Sequence, residues 1–170
     1  SVLVHAIPFA TDAGFSRQVA ATAVAINGLG NLASKAVWAY GLRKFQARKL
    51  IVVAYSISSF GVALMLMSTP NVQAQILFVG FFLYGFGFGG TIPLGEFLWA
   101  KYFGRGHIGA IRGIGHSMTV VGVACGPVLV GYWFDVSQNY QPAFLAIIAT
   151  YLSGSLLVWI SREPLQVLNK

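Results

Sequence analysis

The stretch Arg43–Thr69, RKFQARKLIVVAYSISSFGVALMLMST, joins two opposites: four cations in its first seven residues, then twenty residues without a charge. A helix of about 20 residues rises about 30 Å, the thickness of a bilayer's hydrocarbon core. An uncharged run of that length beside a basic cluster reads as a membrane span entered from the side where Lys and Arg are retained.

Working outward, four more apolar runs of similar length appear at 19–40, 76–100, 113–134 and 143–160, with 50–69 between them. The gap 70–75 carries no charge, the next gap brings Lys101, Arg105 and Arg112, the following one only Asp135, and the tail Arg162 and Lys170. Ten of the eleven Lys and Arg residues then fall on one side, Arg17 being the exception. The pattern predicts an all-α integral membrane protein of the plasma (cell inner) membrane, multi-pass, with its C-terminus cytoplasmic.

Composition agrees. Mean hydropathy is +0.72 and 9% of residues are charged, against about a quarter in soluble domains. A net charge of +7 would point to nucleic acid in a soluble chain, but these cations sit in short loops between spans. They read as topology signals and contacts to anionic lipid, so the bilayer is the expected partner and nucleic acid is not. The single Cys125 can form no internal disulfide. No metal-ligand spacing, Ser/His/Asp set or paired-carboxylate site is present, and the Gly-rich run Gly85–Gly90 follows no strand. Neither an enzyme nor a cofactor is expected.

The start of the chain reads as the exit of a helix. Ser1–Ala10 is too short to cross a bilayer and Thr11–Arg17 reads as an outer loop, so 1–11 is expected to be a partial helix. Five spans with an outside start and an inside finish suit a fragment truncated at its beginning.

Inside the spans, Asn27, Asn31 and Lys35 recur at i, i+4 and i+8 and share a helix face. A lysine within a span costs about 2.5–3.5 kcal/mol on insertion scales. Lys35 either snorkels to the inner interface or serves a substrate or gate. Glu96 is the only acid placed within a span. Paired with Lys101, Arg105 or Arg112 it would latch an inner gate; a proton site and a passive interfacial acid are the alternatives. His5 and His116 are candidates for proton coupling or for packing, and Arg112 and His116 are i, i+4 neighbours. Ser56, Ser58 and Ser59 are expected to bond back to carbonyls one turn earlier. Gly85-x-x-x-Gly89 and Gly122-x-x-x-Gly126 are expected to admit a neighbouring backbone, while Pro93 and Pro127 interrupt their helices. Trp38, Trp99, Tyr102, Trp133, Tyr140 and Trp159 lie near span ends and read as an interfacial belt.

Four segments together resemble the C-terminal half of a major facilitator superfamily transporter, from the end of its seventh helix through its twelfth. Trp38–Lys49 resembles the basic loop between helices eight and nine, although Arg43 stands where an acid is expected and Ala39 and Gln46 replace its glycines. Trp99–Arg105 with Gly109–Gly113 is similar to the loop between helices ten and eleven. Gly122–Gly131, with Gly126-Pro127, resembles the helix-eleven motif, and Phe134-Asp135 with Tyr140–Phe144 the turn into helix twelve.

The resemblance implies a C-terminal six-helix bundle of a major facilitator fold. It also implies secondary active transport of a small solute by alternating access, with the substrate site shared with a missing N-terminal half. Asn31-Leu32-Ala33-Ser34-Lys35 resembles the helix-eight signature of monocarboxylate-porter-like members. That likeness implies an organic anion such as a monocarboxylate, held by Lys35 with Asn31 and Asn27 nearby, in symport with a proton or other ion. Asn31 stands where those carriers have an acid. An efflux carrier for other small or hydrophobic solutes and a non-transporting helical scaffold remain open.

Overall fold

A computed structural model describes residues 2–69, 74–103 and 108–161. Arg105, Arg162, Lys170 and most of the 70–75 gap lie outside the described residues. Among the described residues six helices follow one another: α1 (Ala6–Asp12), α2 (Arg17–Leu42), α3 (Ala47–Met67), α4 (Ala74–Phe103), α5 (Ile108–Ser137) and α6 (Gln141–Ile160). Four of the five apolar runs read from the sequence lie inside one helix each, and the fifth, 50–69, overruns the end of α3 by two residues. The protein is a membrane helical bundle. Four helices (α3, α4, α5 and α6) are long and apolar enough to cross a bilayer. At 26 residues α2 is longer than two of them, but Asn27, Asn31 and Lys35 lower its hydropathy.

The first helix is shorter than expected. Val2–Val4 form a turn and α1 begins only at Ala6. Pro8 has no N–H to give the Val4 carbonyl, so the helical ladder does not reach back through the first residues. Its exit is as read: the N–H of Phe15 bonds the Ala10 carbonyl at 3.0 Å and that of Gly14 bonds Thr11 at 2.9 Å, with Gly14 at φ 91°. These two bonds define a Schellman stop, and they bury Phe15 under the turn. Ser16 then caps α2, its Oγ accepting from the Val19 N–H at 3.3 Å.

α4 is the central helix, with α2 packed on one flank and α3 on the other, while α6 packs on α3. α2 runs parallel to α4, with Asn27 beside Gly85 and Trp38 beside Gly90; α3 runs antiparallel to it, with Gly61 beside Tyr84 and Ser58 beside Gly87. Both approaches need glycine. A methyl on Gly85 would run into the Asn27 carbonyl oxygen of α2, and one on Gly87 into Ser58 of α3. The expected close approach at Gly85 and Gly89 is present, and Gly80 and Gly87 carry a second one on the opposite flank.

α5 is different. Only 6% of its most apolar window is buried, against 44% for α3 and for α4. A methyl on Gly122 would meet nothing within 4 Å, so among the described residues no backbone packs against the first glycine of the second motif. α5 is held near its ends instead, and its middle borders a cavity of about 450 Å³.

Two residues assigned to an interfacial belt are core residues. Trp38 is 5% exposed, locked between α2 and α4, and Tyr140 is 7% exposed, stacked on Phe134 with centroids 4.3 Å apart. Trp133 and Trp159 are exposed. Of the three serines of α3, Ser56 bonds back to Val52 at 2.9 Å, whereas the buried Ser58 hydroxyl is turned toward Gly87 and has no hydrogen-bond partner.

Candidate functional site

The polar stripe of α2 divides as it runs along α4. Asn27 is buried and its Nδ2 donates to the Phe81 carbonyl at 3.0 Å. The most buried line then continues through Gly30, Ser34 and Trp38, whose Nε1 donates to the Phe86 carbonyl at 3.0 Å. At about 100° per residue, Ser34 and Trp38 lie about 20° around the helix from Asn27, and Lys35 about 80°. Asn31 is therefore half-buried at the edge of the contact, beside Gly89, and the Lys35 stem is exposed. From that edge the Lys35 ammonium reaches across and donates to the Gly89 carbonyl at 2.7 Å.

One to two turns further along α4, Glu96 is half-buried and forms an ion pair with Arg112 at the start of α5. Trp99 closes the same junction, its ring lying against Gly115. Of the three cations considered for Glu96, Arg112 forms an ion pair with it; Lys101 is in the last turn of α4 and Arg105 lies outside the described residues. Gly89 and Glu96 are about 10 Å apart along the helix axis. A short segment of α4 thus carries a lysine from α2 on one side and an arginine from α5 on the other, with Pro93 between them.

The histidines are separated from this segment. His5 faces α5, with Nε2 3.1 Å from the Pro127 carbonyl oxygen and its ring 5.8 Å from that of Tyr140. His116 is exposed on α5, one turn beyond Arg112. Gly126 borders the apolar cavity together with Gly122, Tyr84, Phe88, Trp133 and Tyr151. At the opposite end of the bundle, burial and the carboxylates of Asp12 and Asp135 push the Tyr140 phenol above its ordinary range. Among the described residues no cluster of His, Cys, Asp or Glu could hold a metal ion.

The basic residues gather at one end. Arg43 and Lys44 sit in the α2–α3 turn, Lys101 at the end of α4 and Arg112 at the start of α5. Arg48 Nη1 donates to the Ser161 carbonyl at 2.5 Å, which ties the start of α3 to the end of α6. Arg17 and Asp12 lie at the other end, at the α1–α2 turn.

Sequence reasoning singled out Lys35 but not what it bonds. The signal was Pro93 itself, because a proline inside a helix leaves the carbonyl four residues earlier without its partner. Trp38 stands eleven residues after Asn27 and so on the same line of the helix, but that spacing marks burial only once a neighbouring helix covers the line.

The chain matches the family model described as Major Facilitator Superfamily over residues 1–170. No curated protein matches it.

Proposed function

The chain belongs to the major facilitator superfamily of transporters, and we propose on that footing that it forms the C-terminal half of a secondary carrier for a small organic anion. Five spans, α2 to α6, cross the plasma membrane with the basic end and the C-terminus in the cytoplasm. The second half-bundle covers the apolar face of α5, where Ile114, Met118 and Val128 are each at least two-thirds exposed. The substrate lies between the halves, and the carrier works by alternating access.

The observation that carries the anion reading is Lys35. It is the only cation in the middle of the described helices, and its stem is exposed while its ammonium reaches α4. A cation at such depth is expensive unless it has a partner or a task, and a carboxylate supplies both. Asn31 at the same edge offers an amide beside it. Glu96 and Arg112 form the inner latch, opened and closed as α5 moves against α4. His5, just before α1 and beside the Pro127 carbonyl of α5, is the candidate for proton coupling and symport.

The test is uptake of a labelled short-chain monocarboxylate by the full-length protein in vesicles. Lys35→Ala should abolish uptake while leaving the amount of membrane-inserted protein unchanged, and Lys35→Arg should retain part of it. Unchanged kinetics in Lys35→Ala would refute the anion site.

A further inference from the structure

One carbonyl in the interior of α4 lacks the usual donor of its own helix. In an α helix the N–H of residue i+4 serves the carbonyl of residue i. Four residues beyond Gly89 stands Pro93, which has no N–H and whose ring crowds that carbonyl. The Lys35 ammonium donates to this same oxygen at 2.7 Å. By contrast, Phe81 and Phe86, which receive Asn27 and Trp38, keep non-proline residues four positions on, Gly85 and Gly90. Their cross-helix bonds are additional. The bond from Lys35 is a replacement.

We propose that Lys35 is a positioning residue that supplies to α4 the hydrogen bond Pro93 withholds, and that an anion reaching Lys35 takes that bond away. A buried carbonyl left unpaired in apolar surroundings is costly, so the ammonium holds α4 in one shape at Gly89–Pro93. A carboxylate competes well for it, because a bond between two charged groups is about twice as strong as one to a neutral carbonyl. Anion capture then loosens α4 immediately before Glu96, whose ion pair holds α5. This second half of the proposal rests on the anion reading above; the first half does not.

The geometry also explains why the Lys35 bond is specific to this turn. Ser34 Oγ bonds the Asn31 carbonyl of its own helix at 2.6 Å and is not directed to Gly89 O. A methionine at 35 keeps the stem and removes the donor, whereas arginine keeps a donor of similar reach. Alanine at 93 restores the helical N–H and makes the Lys35 bond redundant.

The experiment is a double-mutant cycle on the full-length protein in nanodiscs, read by hydrogen exchange of the α4 amides after Gly89. Lys35→Met should raise exchange there about tenfold, the equivalent of one hydrogen bond. In the Pro93→Ala background the same change should have little effect, and Lys35→Arg should resemble the parent. Additive effects, with Lys35→Met equally damaging in both backgrounds, overturn the replacement bond from Lys35 to Gly89 even if Lys35 is essential for uptake. Sodium acetate should raise exchange at the same amides in the parent and not in Lys35→Met. A coupled cycle with no response to acetate overturns the release, and the Lys35→Ala uptake assay then decides the anion site separately.

Discussion

Replacing Gly85 by alanine should force α2 away from α4, and the structure sets the size of the effect. A Cβ at Gly85 would stand 2.9 Å from the Asn27 carbonyl carbon and 2.8 Å from its Nδ2. Non-bonded carbons settle at about 3.5–4.0 Å, so α2 has to withdraw by about 0.6–1.1 Å. The Asn27–Phe81 and Trp38–Phe86 bonds, both 3.0 Å, then exceed hydrogen-bonding distance. The longer Lys35 side chain can follow its carbonyl. Interhelical bonds in membranes are worth about 0.6 kcal/mol on average and up to about 1.7, so losing two costs about 1–3 kcal/mol. Gly95→Ala on the same helix is the control, since a Cβ there meets nothing within 4 Å. Both substitutions gain the same helix propensity, about 1 kcal/mol, which cancels in the comparison. Gly85→Ala should therefore be less stable than Gly95→Ala by about 1–3 kcal/mol, measured by unfolding the protein in mixed micelles with increasing SDS. Coincident unfolding midpoints for the two variants would show that the α2–α4 contact is not held at Gly85.

Three further predictions concern other contacts. Trp38→Phe keeps the ring beside Phe86 but loses the donor to its carbonyl, and should cost about 0.6–1.7 kcal/mol in the same unfolding assay; no change would mean that packing alone holds this site. Glu96→Arg should impair transport while lowering stability by less than about 1 kcal/mol, because Arg112 is 52% exposed. Combining it with Arg112→Glu should restore transport, and failure of the swap in an uptake assay counts against the latch. Gln138 ends α5 at φ 52°, its N–H bonding the Phe134 carbonyl at 2.7 Å. Gln138→Gly should raise thermal stability by up to about 1 kcal/mol by relieving the left-handed backbone; a clear loss would show that the Gln138 side-chain bond to the Asp135 carbonyl matters more.

Much of the architecture was legible because its causes are local. Twenty uncharged residues after Arg43–Lys49 leave a helix in lipid as the one structure that pairs every backbone group within the segment. Gly14 after α1 and the small residues of α4 likewise act through their own backbone positions. Aromatic placement was not legible in the same way. Trp38 and Trp133 both lie near span ends, yet one is buried and the other is exposed, since burial depends on which face a neighbouring helix covers. Gly85-x-x-x-Gly89 and Gly122-x-x-x-Gly126 are the same motif, yet Gly85 meets the backbone of Asn27 while Gly122 has nothing within 4 Å. The motif permits a close approach; it does not supply the partner.

By itself the sequence determined that this is a helical membrane protein, how its helices alternate, and where its chemically costly residues stand. Those properties follow from hydropathy, charge and the helical period, which each segment carries alone. Tertiary structure decided what the costly residues bond. Lys35 could have turned to the interface, to solvent or to a neighbour, and its ammonium meets Gly89 because α2 lies parallel and close to α4 across glycines. Glu96 had several cations within reach along the chain, and the position of α5 gave it Arg112. Long side chains on a helix sweep wide arcs, so their partners are set by how helices pack.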